Sequence, residues 1–225
     1  SEFSQRRMYV QDIDQDGDQD ILSIGYFLTS GSTEVRLLRN KGDGSFGEVE
    51  RFPATSSEVD ALAMGDFDGD GDVDIAALDY QGDSAEIAFL ANEGGQFAAP
   101  KRRRFIELYD LIASDRDRDG DLDLVAASWG SIHVLTNLGG GEFSDPVPTF
   151  VPFNPSGLTS VDLNGNGVSD LVVSSFGSDL LVLLDRPDGS LDLPGTRYQL
   201  QQLQPWTTIV AADFDGDGDI DLSGG

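Results

Sequence analysis

The chain has 225 residues, 39% hydrophobic and 9% aromatic, enough to fold around one substantial core and too apolar for a disordered polymer. Its 41 acidic and 14 basic side chains leave a formal charge of −27, which argues against nucleic acid or anionic membrane as partners and points to cations. Without cysteine there are no disulfides, thiolate metal sites or cysteine nucleophiles, and no apolar run reaches the roughly 18 residues that span a bilayer.

In chain order, a β-rich run RRMYVQD (residues 6–12) enters an acidic stretch from Asp12 to Asp20 and leaves it as DILSIGYF. A third run, EVRLLRN (34–40), is followed by the glycine-rich turn NKGDGSF. The same succession returns as DALAMGD, DIAALDY, EIAFLAN and NEGGQF, then as DLIASD, DLVAASW, SIHVLTN and NLGGGEF, and a fourth time as GLTSVD, DLVVSSF, LLVLLDR and RPDGSL. A fifth begins at TTIVAAD and stops at Gly225. The acidic stretches start at Asp12, Asp66, Asp115, Asp162 and Asp213, spaced 54, 49, 47 and 51 residues apart. A period near 50 marks an array of supersecondary units. Short apolar runs flanked by Asp and Gly favour strands over helices, and each glycine-rich turn reverses the chain into a fourth, more polar strand. The fold expected is all-β: about four and a half repeats forming propeller blades of four antiparallel strands. One domain over 1–225 is expected, with repeats near 6–58, 59–108, 109–157 and 158–205 and a partial repeat over 206–225.

Each acidic loop, numbered from its first Asp, carries a carboxylate or amide at positions 1, 3, 5 and 9 and glycine at 6. The sets are Asp12, Asp14, Asp16 and Asp20; Asp66, Asp68, Asp70 and Asp74; Asp115, Asp117, Asp119 and Asp123; Asp162, Asn164, Asn166 and Asp170; Asp213, Asp215, Asp217 and Asp221. Alternate side chains converge when such a loop curls, and oxygen-only ligation suits Ca²⁺, about five ions, one per loop. Mg²⁺ prefers tighter octahedra, and Zn²⁺ would recruit histidine, whereas His133 lies outside every loop. Position 7 is Asp18, Asp72, Asp121 and Asp219 but also Val168, which fits a main-chain carbonyl ligand there. With two asparagines, the fourth loop should be the weakest site. An EF-hand is excluded, because position 12 is Ser23, Ala77, Ala126, Val173 or Gly224 instead of glutamate.

The pattern GDFDGDGDVDIA (65–76), together with a following strand and a turn such as LLRNKGDGSFG (37–47), resembles the FG-GAP/VCBS repeats of integrin α-subunit heads and many secreted bacterial proteins. The resemblance covers nearly the whole chain and implies propeller blades with Ca²⁺ in the hairpin joining the first and second strands. Departures are Asn164, Asn166 and Leu191, the last in place of the usual phenylalanine. Propellers of this family usually have about seven blades, and a terminal stub leaves strand edges open. The chain is therefore expected to be a fragment of a larger propeller, or a piece completed by another chain.

Six residues beyond position 9 stand Tyr26, Tyr80, Trp129 and Phe176. They are either packing between blades or an aromatic platform for a sugar or a protein loop. The basic cluster KRRR (101–104) reads as a charged edge strand, Trp206 as core, and His133 as a strand residue with no nucleophile beside it. Glu34, Glu86, Glu107 and Glu142 have no distinctive setting, so no catalytic constellation is found and the chain is read as not an enzyme. The expected function is a calcium-stabilised extracellular or cell-surface module recognising protein or glycan. The alternatives are a scaffold domain of a larger secreted polysaccharide-active enzyme and a subunit that self-associates through open blade edges.

Overall fold

The computed structural model describes residues 3–27, 32–52, 59–80, 84–105, 107–176, 179–186, 190–199 and 209–224. Side chains are described for the same residues apart from 3–6, 26, 27, 32–34, 80 and 224. The expected core residue Trp206 lies outside the described residues.

Among the described residues every regular element is a strand. The first sheet contains β1 (Phe3–Gln11), β2 (Asp20–Phe27), β3 (Ser32–Leu38) and β4 (Glu50–Phe52). The second contains β5 (Val59–Gly65), β6 (Asp74–Tyr80), β7 (Ala85–Leu90) and β8 (Lys101–Phe105). The third contains β9 (Leu108–Ser114), β10 (Asp123–Ser128), β11 (Ser131–Leu135) and β12 (Val147–Phe150), and the fourth β13 (Pro155–Val161), β14 (Asp170–Ser175), β15 (Asp179–Leu183) and β16 (Thr196–Gln199). β17 (Ile209–Ala212) and β18 (Asp221–Gly224) form a final two-stranded hairpin. Each four-stranded sheet is an antiparallel meander in sequence order, the arrangement of a propeller blade.

Burial explains the composition of these strands. Every residue of β10 and β14 is buried, so they read as unbroken apolar and small-residue runs, while the outer strand β16 is exposed at all four positions. The chain divides into two compact units, Ser1–Leu108 with Gly139–Glu142, and Tyr109–Leu138 with Phe143–Gly225. In the first unit Leu22, Ile24, Val35 and Leu37 of one blade pack with Val59, Leu62, Ile75 and Leu90 of the next. In the second, Val125, Ala127 and Ile132 pack with Leu158, Leu171, Val173 and Leu181. Fully burying one such side chain contributes about 1.5–3 kcal/mol, so stacking of blade on blade is the main source of stability.

Polar contacts set the stacking register. The first strand of a blade is an edge of its sheet, irregular between Val59 and Ala61 in β5 and between Pro155 and Gly157 in β13, so its outward main-chain N–H groups have no ladder partner. The preceding blade accepts one of these outward amides. Leu62 N donates to Tyr9 Oη at 3.0 Å, and Leu158 N donates to Asp110 Oδ2 at 2.9 Å.

The KRRR cluster falls on the outer strand β8, where Arg102 pairs with Glu86 at 2.9 Å and Arg104 approaches it at 3.7 Å. Glu86, which has no distinctive setting in the sequence, is 9% exposed and is held by these two arginines. Only the register of β7 against β8, which sets Glu86 opposite Arg104, brings them together.

Candidate metal centre

The acidic stretches form the hairpin loops between the first and second strands of each blade, and the fifth joins β17 to β18. Each loop is built the same way. The position 1 carboxylate accepts main-chain N–H groups from across the loop: Asp66 takes Gly69 N at 2.7 Å and Gly71 N at 2.9 Å, and Asp213 takes Gly216 N at 2.6 Å and Gly218 N at 3.0 Å. In all five loops the side chain at position 5 (Asp16, Asp70, Asp119, Asn166 or Asp217) accepts the N–H of position 7 at 2.8–2.9 Å. Gly71, at position 6 with φ of +95°, shows why glycine stands there, since a Cβ would strain this left-handed backbone.

Position 9 does more than the sequence indicates. Asp20, Asp74, Asp123 and Asp170 are at most 3% exposed. Each closes its own loop by accepting the N–H of position 2, as in Phe67 N to Asp74 Oδ2 at 2.9 Å and Arg116 N to Asp123 Oδ2 at 2.8 Å. The other oxygen takes the N–H of the second residue past the third strand: Asn40, Asn92, Asn137 or Asp185, at 2.7–2.8 Å. Burial pushes the carboxyls of Asp20, Asp74 and Asp123 above the usual value, against these hydrogen bonds. Periodicity could not reveal this second role, because the third-strand partner is 14 to 20 residues away.

Within four loops the remaining carboxylates converge. Ligand oxygens lie within 4.8 Å of one another in Asp12, Asp14 and Asp20, in Asp66, Asp68 and Asp70, in Asp115, Asp117 and Asp123, and in Asp213, Asp215 and Asp221. Asp16, Asp74, Asp119 and Asp217 stand outside these groups. So do the position 7 carboxylates, and that of Asp72 turns away to accept Gly94 N at 2.6 Å. The fourth loop forms no such group; Asn164 Nδ2 instead donates to Asp170 Oδ2 at 3.2 Å. Asp162 accepts several main-chain N–H groups, Gly167 foremost, and these lower its carboxyl.

The donor set fits a hard divalent cation. Asp12 Oδ1 and Asp14 Oδ1 are buried and have no hydrogen-bond partner. Burying a carboxylate oxygen without a partner is costly, and two unit charges 4 Å apart repel by about 4 kcal/mol at an effective dielectric near 20. A cation at the centre of the loop would answer both. Burial, then the charge of Asp70, raises the Asp68 carboxyl, and burial raises that of Asp117. Asp14 also meets Arg39, whose guanidinium donates to Asp14 Oδ2 at 2.8 Å and to Glu50 Oε1 at 2.7 Å.

Of the four aromatic candidates, Trp129 forms the tip of the β10–β11 turn and is 63% exposed. Phe176 is half-buried and packs edge-on against Tyr109 at 6.1 Å. The side chains of Tyr26 and Tyr80 lie outside the described residues. His133 bonds Ser131 Oγ through Nε2 at 3.0 Å, and burial lowers its pKa.

The profile of the FG-GAP-like repeat matches residues 12–77, 115–173 and 162–222. The chain belongs to the FG-GAP-like repeat family. Among curated proteins, this FG-GAP chain is 27% identical over 168 residues to cartilage acidic protein 1 of Xenopus tropicalis and 25% identical over 187 residues to that of Homo sapiens. These alignments take in 61% and 68% of the chain but only 24% and 27% of the relatives, so it spans about a quarter of their length. Among solved structures it is similar to a lectin of Agrocybe aegerita, described as recognising non-reducing terminal N-acetylglucosamine. That likeness has a TM-score of 0.62 at 23% identity, over 97% of this chain and 60% of the lectin. The rhamnogalacturonan lyase of Bacillus licheniformis is similar at a TM-score of 0.54 and 14% identity, over 99% of this chain and 55% of the lyase. At these identities the two likenesses show a common fold with the FG-GAP chain.

Proposed function

We propose that this chain is a calcium-binding propeller module acting outside the cell, where its ions hold the blade hairpins rigid for recognition of a glycan or protein. The observation that carries this reading is the convergence of carboxylate oxygens in four of the loops, with two buried oxygens of the first loop left without partners. The ligands proposed are the side chains at positions 1, 3 and 5 with the carbonyl of position 7, and position 9 serves both as ligand and as loop closure. The fourth loop, with Asn164 and Asn166, is proposed as the weakest site. Extracellular modules bind Ca²⁺ with dissociation constants of about 10⁻⁴ to 10⁻³ M, which suits millimolar calcium outside the cell.

For recognition, the exposed indole of Trp129 offers a face on which a sugar ring can stack. The lectin's recognition of N-acetylglucosamine makes a glycan the first ligand class to test. The chain is further proposed to be one part of a larger propeller, as its partial cover of the solved chains supports. No catalytic role is proposed. Calorimetry with Ca²⁺ tests the metal reading, with binding in the submillimolar to millimolar range expected and silence contradicting it. A glycan array run with and without chelator, on the parent and on Trp129→Ala, tests recognition. Signal that persists unchanged without Ca²⁺ and without the indole would count against this assignment.

A further inference from the structure

In the second and fourth blades the second residue past the third strand is bonded to two successive metal loops, and two departures from the repeat show that this connection is kept by different chemistry in the two units. In the first unit Asn92 is fully buried and every polar group of its side chain is engaged. Its N–H donates to Asp74 Oδ1 at 2.8 Å and its Nδ2 to the Val73 carbonyl at 3.1 Å, both in the loop of its own blade. The same Nδ2 donates to the Ile13 carbonyl of the preceding loop at 2.8 Å, and Oδ1 accepts Gly95 N at 2.8 Å. Since Ile13 N donates to Asp20 Oδ2 at 3.1 Å, a continuous path runs from Asp20 through Ile13 and Asn92 to Asp74.

In the second unit the corresponding residue is Asp185, whose carboxylate has no N–H to give to the Ser169 carbonyl, the counterpart of Val73. Arg116 supplies it, donating from Nη1 to Ser169 O at 2.8 Å. Arg116 occupies position 2 of the third loop, where the other loops have Ile13, Phe67, Leu163 and Phe214. Its Nη2 and that of Arg118 engage the two oxygens of Asp185. The path here runs from Asp123 through Arg116 and Asp185 to Asp170, with the same two ends as in the first unit. Arg116 and Asp185 are 5% and 1% exposed, so this version bears the desolvation of two charges where a leucine and an asparagine would have sufficed for packing.

We infer that Asn92 and the Arg116–Asp185 pair are positioning residues that couple neighbouring metal loops, so that divalent cations bind loops one and two, and loops three and four, cooperatively. The inference rests on the calcium reading above. An ion that draws in one loop orders the position 2 peptide or side chain, which in turn holds the position 9 carboxylate of the next loop; ordering done by the first ion need not be repeated by the second.

The test is a Ca²⁺ titration of the full chain followed by NMR, with the amides of Gly120 and Gly167 reporting loops three and four separately. Arg116→Leu and Asp185→Asn are each expected to raise the half-saturation of loop four by about 5-fold or more, the lower end of typical allosteric coupling. The double variant, which rebuilds the asparagine type of junction, is expected to return to within about 2-fold of the parent. Denaturation of the same four proteins in chelator separates positioning from packing. Singles that titrate like the parent overturn the inference, as does a double variant no better than the singles. A cycle energy seen in chelator without any shift in calcium affinity means a structural ion pair alone, and also overturns it. A parent protein that binds no Ca²⁺ fails the calcium reading first, a result distinct from calcium binding without coupling.

Discussion

Asp74 carries the most structure for its size. It is 3% exposed and both its oxygens accept main-chain N–H groups, from Phe67 and Asn92. Asp74→Ala leaves two buried donors unsatisfied and should destabilise by about 3 kcal/mol or more in urea denaturation, with calcium absent as well as present. Asp68 is different in kind, because it belongs to the converging carboxylates while Asn164 is bonded to Asp170 without any ion. Asp68→Ala should therefore cost more stability than Asn164→Ala in calcium; equal or reversed costs in matched denaturation would refute the ranking of sites. Protonation follows the same logic. The carboxyls of Asp20, Asp68, Asp74, Asp117 and Asp123 are raised above 3.8, chiefly by burial, so the folded state binds more protons than the unfolded one just above that pH. Their contribution to stability falls as pH rises from the unfolded value through the raised folded values. Asp43 and Asp162, both lowered, act in the opposite sense, losing stability as pH falls, but they are fewer. In chelator the melting midpoint should fall as pH rises from 3.8 through the raised folded values, and saturating Ca²⁺ should abolish or invert that fall; His133, lowered from 6.5 by burial, adds a separate loss of stability as pH falls below 6.5.

Within a blade the antiparallel ladder pairs the main chain, and between blades the first strand, an edge of its sheet, presents outward donors that must be met from outside. Tyr9 Oη meets Leu62 N, and Asp110 meets Leu158 N at the same place in the fourth blade. Tyr9→Phe removes the hydroxyl while keeping the ring, and should cost about 1–2 kcal/mol by leaving the Leu62 N–H without its acceptor. Thermal melts of the two proteins would show this as a fall in midpoint, and an unchanged midpoint would mean that water replaces the hydroxyl fully. The strands themselves are legible in the order of residues. Runs such as DLVAAS and DLVVSS lack polar alternation because both faces are covered, and their bounding Asp and Gly mark the loops. Pairing at a distance is not legible in the same way: Glu86 with Arg102, or Arg116 with Asp185, each needs the register of strands far apart in sequence.

Across the chain, stability depends on five loops whose charge is unbalanced and on apolar faces stacked in each compact unit. Calcium at about 100 times its dissociation constant stabilises by roughly 2.7 kcal/mol for each independent site. Chelation should therefore lower the melting midpoint markedly, and the midpoint should climb with added Ca²⁺; a melt unaltered by confirmed metal removal contradicts the role given to the loops. Repeat period, strand content and the spacing of loop carboxylates are all present in the primary sequence, because each follows from local geometry: a curled loop brings alternate side chains together, and a covered strand needs apolar side chains. The buried double duty of position 9 arises where the strands of one blade come together, and the first-strand amide held by a neighbouring blade and the exchange of asparagine for an arginine–aspartate pair arise only where separate repeats come into contact. These are satisfactions of polar groups by partners 14 to 79 residues away, and no local pattern specifies which partner will be within reach.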